Sequence, residues 1–234
     1  MKSRLGHIRE AIAGTAVIAF TLLTPFLKSW HSRWGATGAE VKRPLPGDDL
    51  VPQSKGGYTH AVTIHAPASE VWPWVVQIGQ GRGGYYSYEL LENLTGCNIH
   101  NADDIMPGFQ RLGVGDSILM HPKNPNPYTV AAIEPGRVLV LLIRVDAPAG
   151  GSFEPGHKAP RTYQNQSWVL FLEETGEGTT RLISRSRNDY AGGLANTLLY
   201  GFFGPVSLVM DRKMLMGIKQ RAEKQGRGGR DKRG

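Results

Sequence analysis

Hydrophobic and polar positions change their spacing several times along the chain, and each change marks an element. Residues 11–27, AIAGTAVIAFTLLTPFL, carry no charge and show no polar face. From Tyr58 to His65 the period becomes two, with Val62 and Ile64 on one face, which predicts a strand. Pro67-Ala-Ser-Glu then opens a helix. Ser69 is a candidate N-cap, and Pro73 sits near the first turn, where a missing N–H costs little. This helix runs through VWPWVVQI to Gly79, and after a glycine turn Tyr86 to Leu94 reads as a second short helix.

From Gln110 the period is again two. Asp116–His121, Tyr128–Glu134, Val138–Val145, Asn165–Glu173 and Thr179–Asn188 read as strands, six with the first. Glu134-Pro-Gly and Glu174-Thr-Gly-Glu-Gly are hairpin turns. Asp146–Tyr163 is a polar loop or lid. A second uncharged run, Tyr190 to Met210, is broken by Gly192, Gly193, Gly201, Gly204 and Pro205. Its later part joins DRKMLMGIKQRAEK in one helix, because Leu208, Leu215, Ile218 and Ala222 recur at helical spacing. Strand, short helices, antiparallel strands and a long last helix make an α+β order. That last helix is the element left to cover the inner face of the sheet.

Composition narrows the class. The 234 residues are 40% hydrophobic, with 30 Gly and 15 Pro, enough apolar content for a packed core without collagen-like or disordered bias. The single cysteine, Cys97, excludes an internal disulfide framework. From Arg212 to Gly234 nine Lys/Arg stand against two Asp/Glu, so the tail alone equals the chain's net +7 and the rest is balanced. A nucleic-acid binder spreads basic charge over a face of its fold. A short basic tail is instead a solvated end or a contact for anionic lipid.

The apolar run at 11–27 is preceded by Lys2, Arg4 and Arg9 and closed by Lys28, with Trp30 and Trp34 following. Seventeen residues are the lower limit for ~30 Å of hydrocarbon. The segment 1–30 therefore reads as a single-pass membrane anchor. A cleaved signal peptide and a buried soluble helix are the alternatives, although no small-residue cleavage site closely follows Leu27. The basic tail favours a domain facing the cytoplasm. Residues 31–57, rich in Gly, Pro and charge, read as a linker wrapping towards a domain at 58–224, with 225–234 a basic disordered tail.

Four constellations carry candidate chemistry. Gly79-Gln-Gly81-Arg-Gly83-Gly84 matches a dinucleotide fingerprint literally, but a helix precedes it where a strand is needed. It reads as a connector, and no cofactor is expected. Cys97, His100, Asp103 and Asp104 have ligand chemistry without the convergent geometry of a metal site, so no metal is expected. Arg181, Arg185 and Arg187 alternate on one strand face, either exposed or aimed at a ligand carboxylate. Arg82, Tyr85, Tyr86 and Tyr88 put a guanidinium and three phenols beside the glycine turn, suited either to the mouth of a cavity or to packing of a surface turn.

The order of elements, with TIHAPASEVWPWV after the first strand and a long helix after TTRLISRSR, resembles the START-like (SRPBCC) superfamily of polyketide cyclases and lipid-transfer domains. RWGAT, LPGDDLVP, VWPWVVQIGQGRGGYYSYELLEN and DRKMLMGIKQRAE are similar to an uncharacterised bacterial subgroup, over roughly residues 34–224. The resemblance implies a helix-grip: a curved antiparallel sheet around a long C-terminal helix, with a cavity between. The family typically has seven strands, one more than the pattern here gives. The implied function is binding of a hydrophobic or amphipathic small molecule, lipid, isoprenoid or polyketide-like, in that cavity. The alternative is a cyclase/aromatase-like enzyme. The expected ligand-binding residues are Trp72, Arg82, Tyr85, Tyr86 and Trp168; no catalytic residue stands out.

Overall fold

Strands β1 (Gly56–Ile64), β2 (Ser117–Ile118), β3 (Tyr128–Glu134), β4 (Val138–Val145), β5 (Gln164–Gly176) and β6 (Thr179–Tyr190) form one antiparallel sheet. Their order is β1-β6-β5-β4-β3-β2, so the first strand pairs with the last. The computed structural model describes residues 4–23, 28–123, 126–146, 163–176 and 178–231. Among the described residues six α-helices accompany the sheet: α1 (Arg4–Leu23), α2 (Lys28–His31), α3 (Gly38–Lys42), α4 (Ala68–Val76), α5 (Glu89–Leu94) and α6 (Leu194–Asp231). The curved sheet and the long α6 make the helix-grip that the resemblance implies. α6 is 38 residues long and continues past position 225, where a disordered tail was expected to begin.

The pleat sorts each strand onto two faces. On the inner face Ile64, Leu141, Leu170 and Leu182 pack against Leu215 and Ile218 of α6 and Val71 and Val75 of α4. The helical stripe read from sequence is thus the buried face of α6, with Leu208, Leu215, Ile218 and Ala222 at most 3% exposed. On the outer face Ala61, Val140, Val169, Phe171 and Ile183 form a second core with Leu45 and Leu50. The segment read as a linker supplies those two leucines and covers that face.

The alternating arginines hold this strap. Arg181 pairs with Glu40 at 2.7 Å, and Arg185 with Asp48 at 2.7 Å. Arg185 also donates to the carbonyls of Glu40, Val41 and Arg43, and Arg187 to those of Val51 and Pro52. So these side chains are neither an exposed face nor a ligand site; they bind the chain's own strap. Just before it, Thr59 and Ala61 of β1 donate backbone bonds to the carbonyls of Ser32 and Trp34. Gly35 follows with φ +70, and a Cβ there would collide with the Ala61 carbonyl.

The single-pass membrane anchor, and the membrane localisation drawn from it, are corrected by the structure. No helix of the described residues is long and apolar enough to cross a membrane. Within α1 the uncharged part runs only from Ala11 to Leu23, roughly 20 Å against ~30 Å of hydrocarbon. α1 instead packs against α5 and α6. Glu10 pairs with Lys213 at 3.1 Å, and Gly14 lets α1 sit on Tyr88 and Leu91. Residues 24–27 of the expected anchor lie outside the described residues.

Candidate functional site

Where α6 crosses the sheet the apolar interior is interrupted by one polar cluster. Tyr58, His60, Val62 and Ile64 share the inner face of β1, and Asp211 lies on the buried stripe of α6 between Leu208 and Leu215. His60 Nδ1 is 2.7 Å from Asp211 Oδ2, with the side chains 1% and 4% exposed. Asp211 Oδ1 accepts from Ser184 Oγ at 2.8 Å and from the Tyr58 hydroxyl at 3.3 Å. Trp168 Nε1 donates to Ser184 Oγ at 3.0 Å, extending the cluster towards the aromatic rings of Tyr85 and Tyr128.

His60 Nε2 lies 2.9 Å from the carbonyl of His31 and Nδ1 faces Asp211 Oδ2 at 2.7 Å, so both ring nitrogens and the carboxylate have partners, as burial requires. Burial first, and then the Asp211 charge, pushes the Tyr58 phenol well above its usual range, so it stays a donor. Its ring stacks on His60 at 4.2 Å.

On the other side of α6 lies a groove of about 290 Å³ between α1, α2 and α6. Val17, Trp30, His31, Trp34, Leu208, Val209 and Arg212 line it. Leu208, Val209 and Arg212 surround Asp211 in sequence, so one turn of α6 serves both the cluster and the groove. The His31 ring is 7% exposed, and its Nε2 has no hydrogen-bond partner among the described residues. Burial lowers its pKa, which favours the neutral ring. The Arg212 guanidinium lies 5.2 Å from the centre of the Trp34 ring and makes no hydrogen bond or ion pair among the described residues.

The expected site residues divide. Tyr85 and Trp168 come together, ring centres 6.1 Å apart, with Tyr128 beside Trp168 at 5.7 Å. The Tyr85 hydroxyl donates to the Leu119 carbonyl, and burial raises its phenol well above the usual range. Trp72 packs against the rim of the same core. Tyr86 is 1% exposed and donates to the Trp74 carbonyl on the α4 side. Arg82 closes the end of α4: Nε donates to Ile78 O at 3.0 Å, and Nη2 to Val76 O and Phe109 O. Its guanidinium lies over Phe109 at 4.7 Å.

The glycine motif is a turn closed by a Gly79–Gly84 bridge. The C-x2-H-x2-D-D residues disperse: Cys97 to Thr95, His100 to Glu89, and Asp103 to Arg221. Among the described residues no group of three His, Cys, Asp or Glu is placed to hold a metal.

Sequence reasoning missed His60, Asp211, Tyr58, Ser184, His31 and Arg212. A signal for two of them was present. Asp211 occupies a position of the 208-215-218-222 stripe that should be apolar, and His60 shares the alternation of Val62 and Ile64. A carboxylate and an imidazole on two faces predicted to pack together mark a buried pair.

No protein-family model and no curated protein matches the chain. Similar solved structures include a protein from Nitrosospira multiformis, 13% identical over 74% of this chain and 99% of that one, TM-score 0.41. Norcoclaurine synthase from Thalictrum flavum, solved with dopamine and hydroxybenzaldehyde, is 14% identical over 70% and 84%, TM-score 0.37. An aromatase/cyclase from Streptomyces is 12% identical over 73% and 94%, TM-score 0.33. The helix-grip of this chain itself rests on its strand order and on the placing of α6.

Proposed function

We propose that the chain binds a hydrophobic or amphipathic small molecule, and that the groove between α1, α2 and α6 is where it binds. One observation carries this reading: apolar walls from Val17, Trp30, Trp34, Leu208 and Val209 stand beside two polar groups, His31 Nε2 and Arg212, that lack hydrogen-bond partners among the described residues. Mostly apolar walls with few polar anchors are the common make-up of small-molecule sites. Lipid, isoprenoid and polyketide-like molecules share the matching chemistry. Native mass spectrometry of the purified full chain tests it. A bound small molecule is expected, and Val17→Trp, which fills the groove from an exposed helix position, should remove it. Retention of the same molecule by Val17→Trp would place the site elsewhere.

A second reading is a cyclase/aromatase-like enzyme with its substrate between the sheet and α6. The buried, hydrogen-bonded His60–Asp211 pair beneath the Tyr58 ring favours it. His60, Asp211 and Tyr58 would then move protons, with Tyr85, Trp168 and Trp72 as walls and Arg82 at the mouth. Its test is conversion of a poly-β-ketone: wild type should accelerate ring closure and folded His60→Gln should not.

A further inference from the structure

We infer that the groove selects an anionic amphiphile, a short apolar body of about ten heavy atoms ending in a carboxylate held by Arg212. This rests on the groove being the binding place and adds the chemical class of its occupant.

Size comes first. At ~30 Å³ per water-sized group, about 290 Å³ accommodates roughly ten such groups, the body of a medium-chain acid. The walls then fix the direction. Leu208 and Val209, each 3% exposed, form the deep side with His31, whereas Trp30 is 54% exposed and Arg212 lies at the surface. The apolar end therefore points inward and the charged end stays at the rim.

Charge decides the head group. Nearby cations already have anions: Lys213 pairs with Glu10, and Arg221 with Asp103. Arg212 instead has an aromatic face, Trp34, which orients the guanidinium without using its hydrogen-bond donors. An oriented guanidinium with free donors matches the paired oxygens of a carboxylate. The His31 ring adds a wall on the deep side, its Nε2 buried and without a hydrogen-bond partner among the described residues.

The test compares decanoate with decanol by isothermal titration of the full chain at low and high salt. Decanoate is expected to bind at least tenfold more tightly than decanol at low salt, with the advantage shrinking as salt rises. Arg212→Gln should erase the advantage while leaving decanol binding and the thermal midpoint unchanged, because Arg212 is exposed. Equal binding of both probes to wild type overturns the anionic class and leaves the groove as a neutral apolar site. A preference that survives Arg212→Gln overturns the role of Arg212. If neither probe binds, the groove reading falls, and this inference with it.

Discussion

The two faces of the sheet both bury charge, and they do so in opposite ways. On the outer face each arginine reaches several partners; Arg185 alone bonds Asp48, Thr59 and the carbonyls of residues 40, 41 and 43. Loss of one partner leaves the others. On the inner face His60 and Asp211 are each other's charge partner, and the residues around them are apolar or neutral. The outer face is redundant, so its ion pairs clip a strap in place. The inner face depends on two atoms being in register, so its pair fixes how α6 lies on β1.

The sharpest way to break this contrast is to remove one member of the inner pair. Asp211→Leu leaves an imidazole buried without its counter-group and should cost ~3–5 kcal/mol in urea unfolding. Adding His60→Phe should recover most of that loss. A single variant as stable as wild type would show that the pair does not carry the inner face. Leu215→Ala, one helical turn away and fully buried, should cost ~2–5 kcal/mol by loss of packing, with no rescue by His60→Phe.

On the outer face Arg185→Met should cost less, about 1–3 kcal/mol, through carbonyls and a carboxylate left without their donor. Hydrogen exchange should then quicken in residues 37–51 while β5 and β6 stay protected. Faster exchange throughout the sheet would mean that the strap is integral to the fold and not a clip.

The smallest effect is a pH effect. Burial pushes the Glu40 carboxyl up, but hydrogen bonds from Arg181 and the Thr37 backbone, with the Arg181 charge, outweigh it and bring the pKa down to about 2. A depressed carboxylate contributes stability that is complete above its unfolded value of 4.5 and is lost as pH falls towards 2. The strap should therefore loosen at its α3 end between pH 4.5 and 2, and Glu40→Gln should flatten that part of the profile.

The sequence was more informative about the scaffold than about the site, for a physical reason. Strand alternation and the helical stripe are repeated signals, so all six strands and the closing helix were readable, although β2 shrinks to two residues. Arg181, Arg185 and Arg187 were correctly placed on one face, but their partners lie about 140 positions earlier, beyond any local pattern. The expected anchor failed because absence of charge reports burial without saying in what medium, and here α1 is packed on protein. Tyr85 and Trp168, both expected as cavity walls, lie with ring centres 6.1 Å apart. His60 and Asp211 are single exceptions within apolar patterns, 151 positions apart, and become a pair only when β1 meets α6.

The backbone bonds from Thr59 and Ala61 to the carbonyls of residues 32 and 34 bear on how copies of this chain behave towards one another. An open sheet invites strands from other molecules along its two borders. Here one border is the two-residue β2, too short to template much, and the other is occupied by the chain's own residues 32–34. Moving residues 32–34 off β1 would bare its donors, so the few residues after α2 cover the border at which another strand could pair.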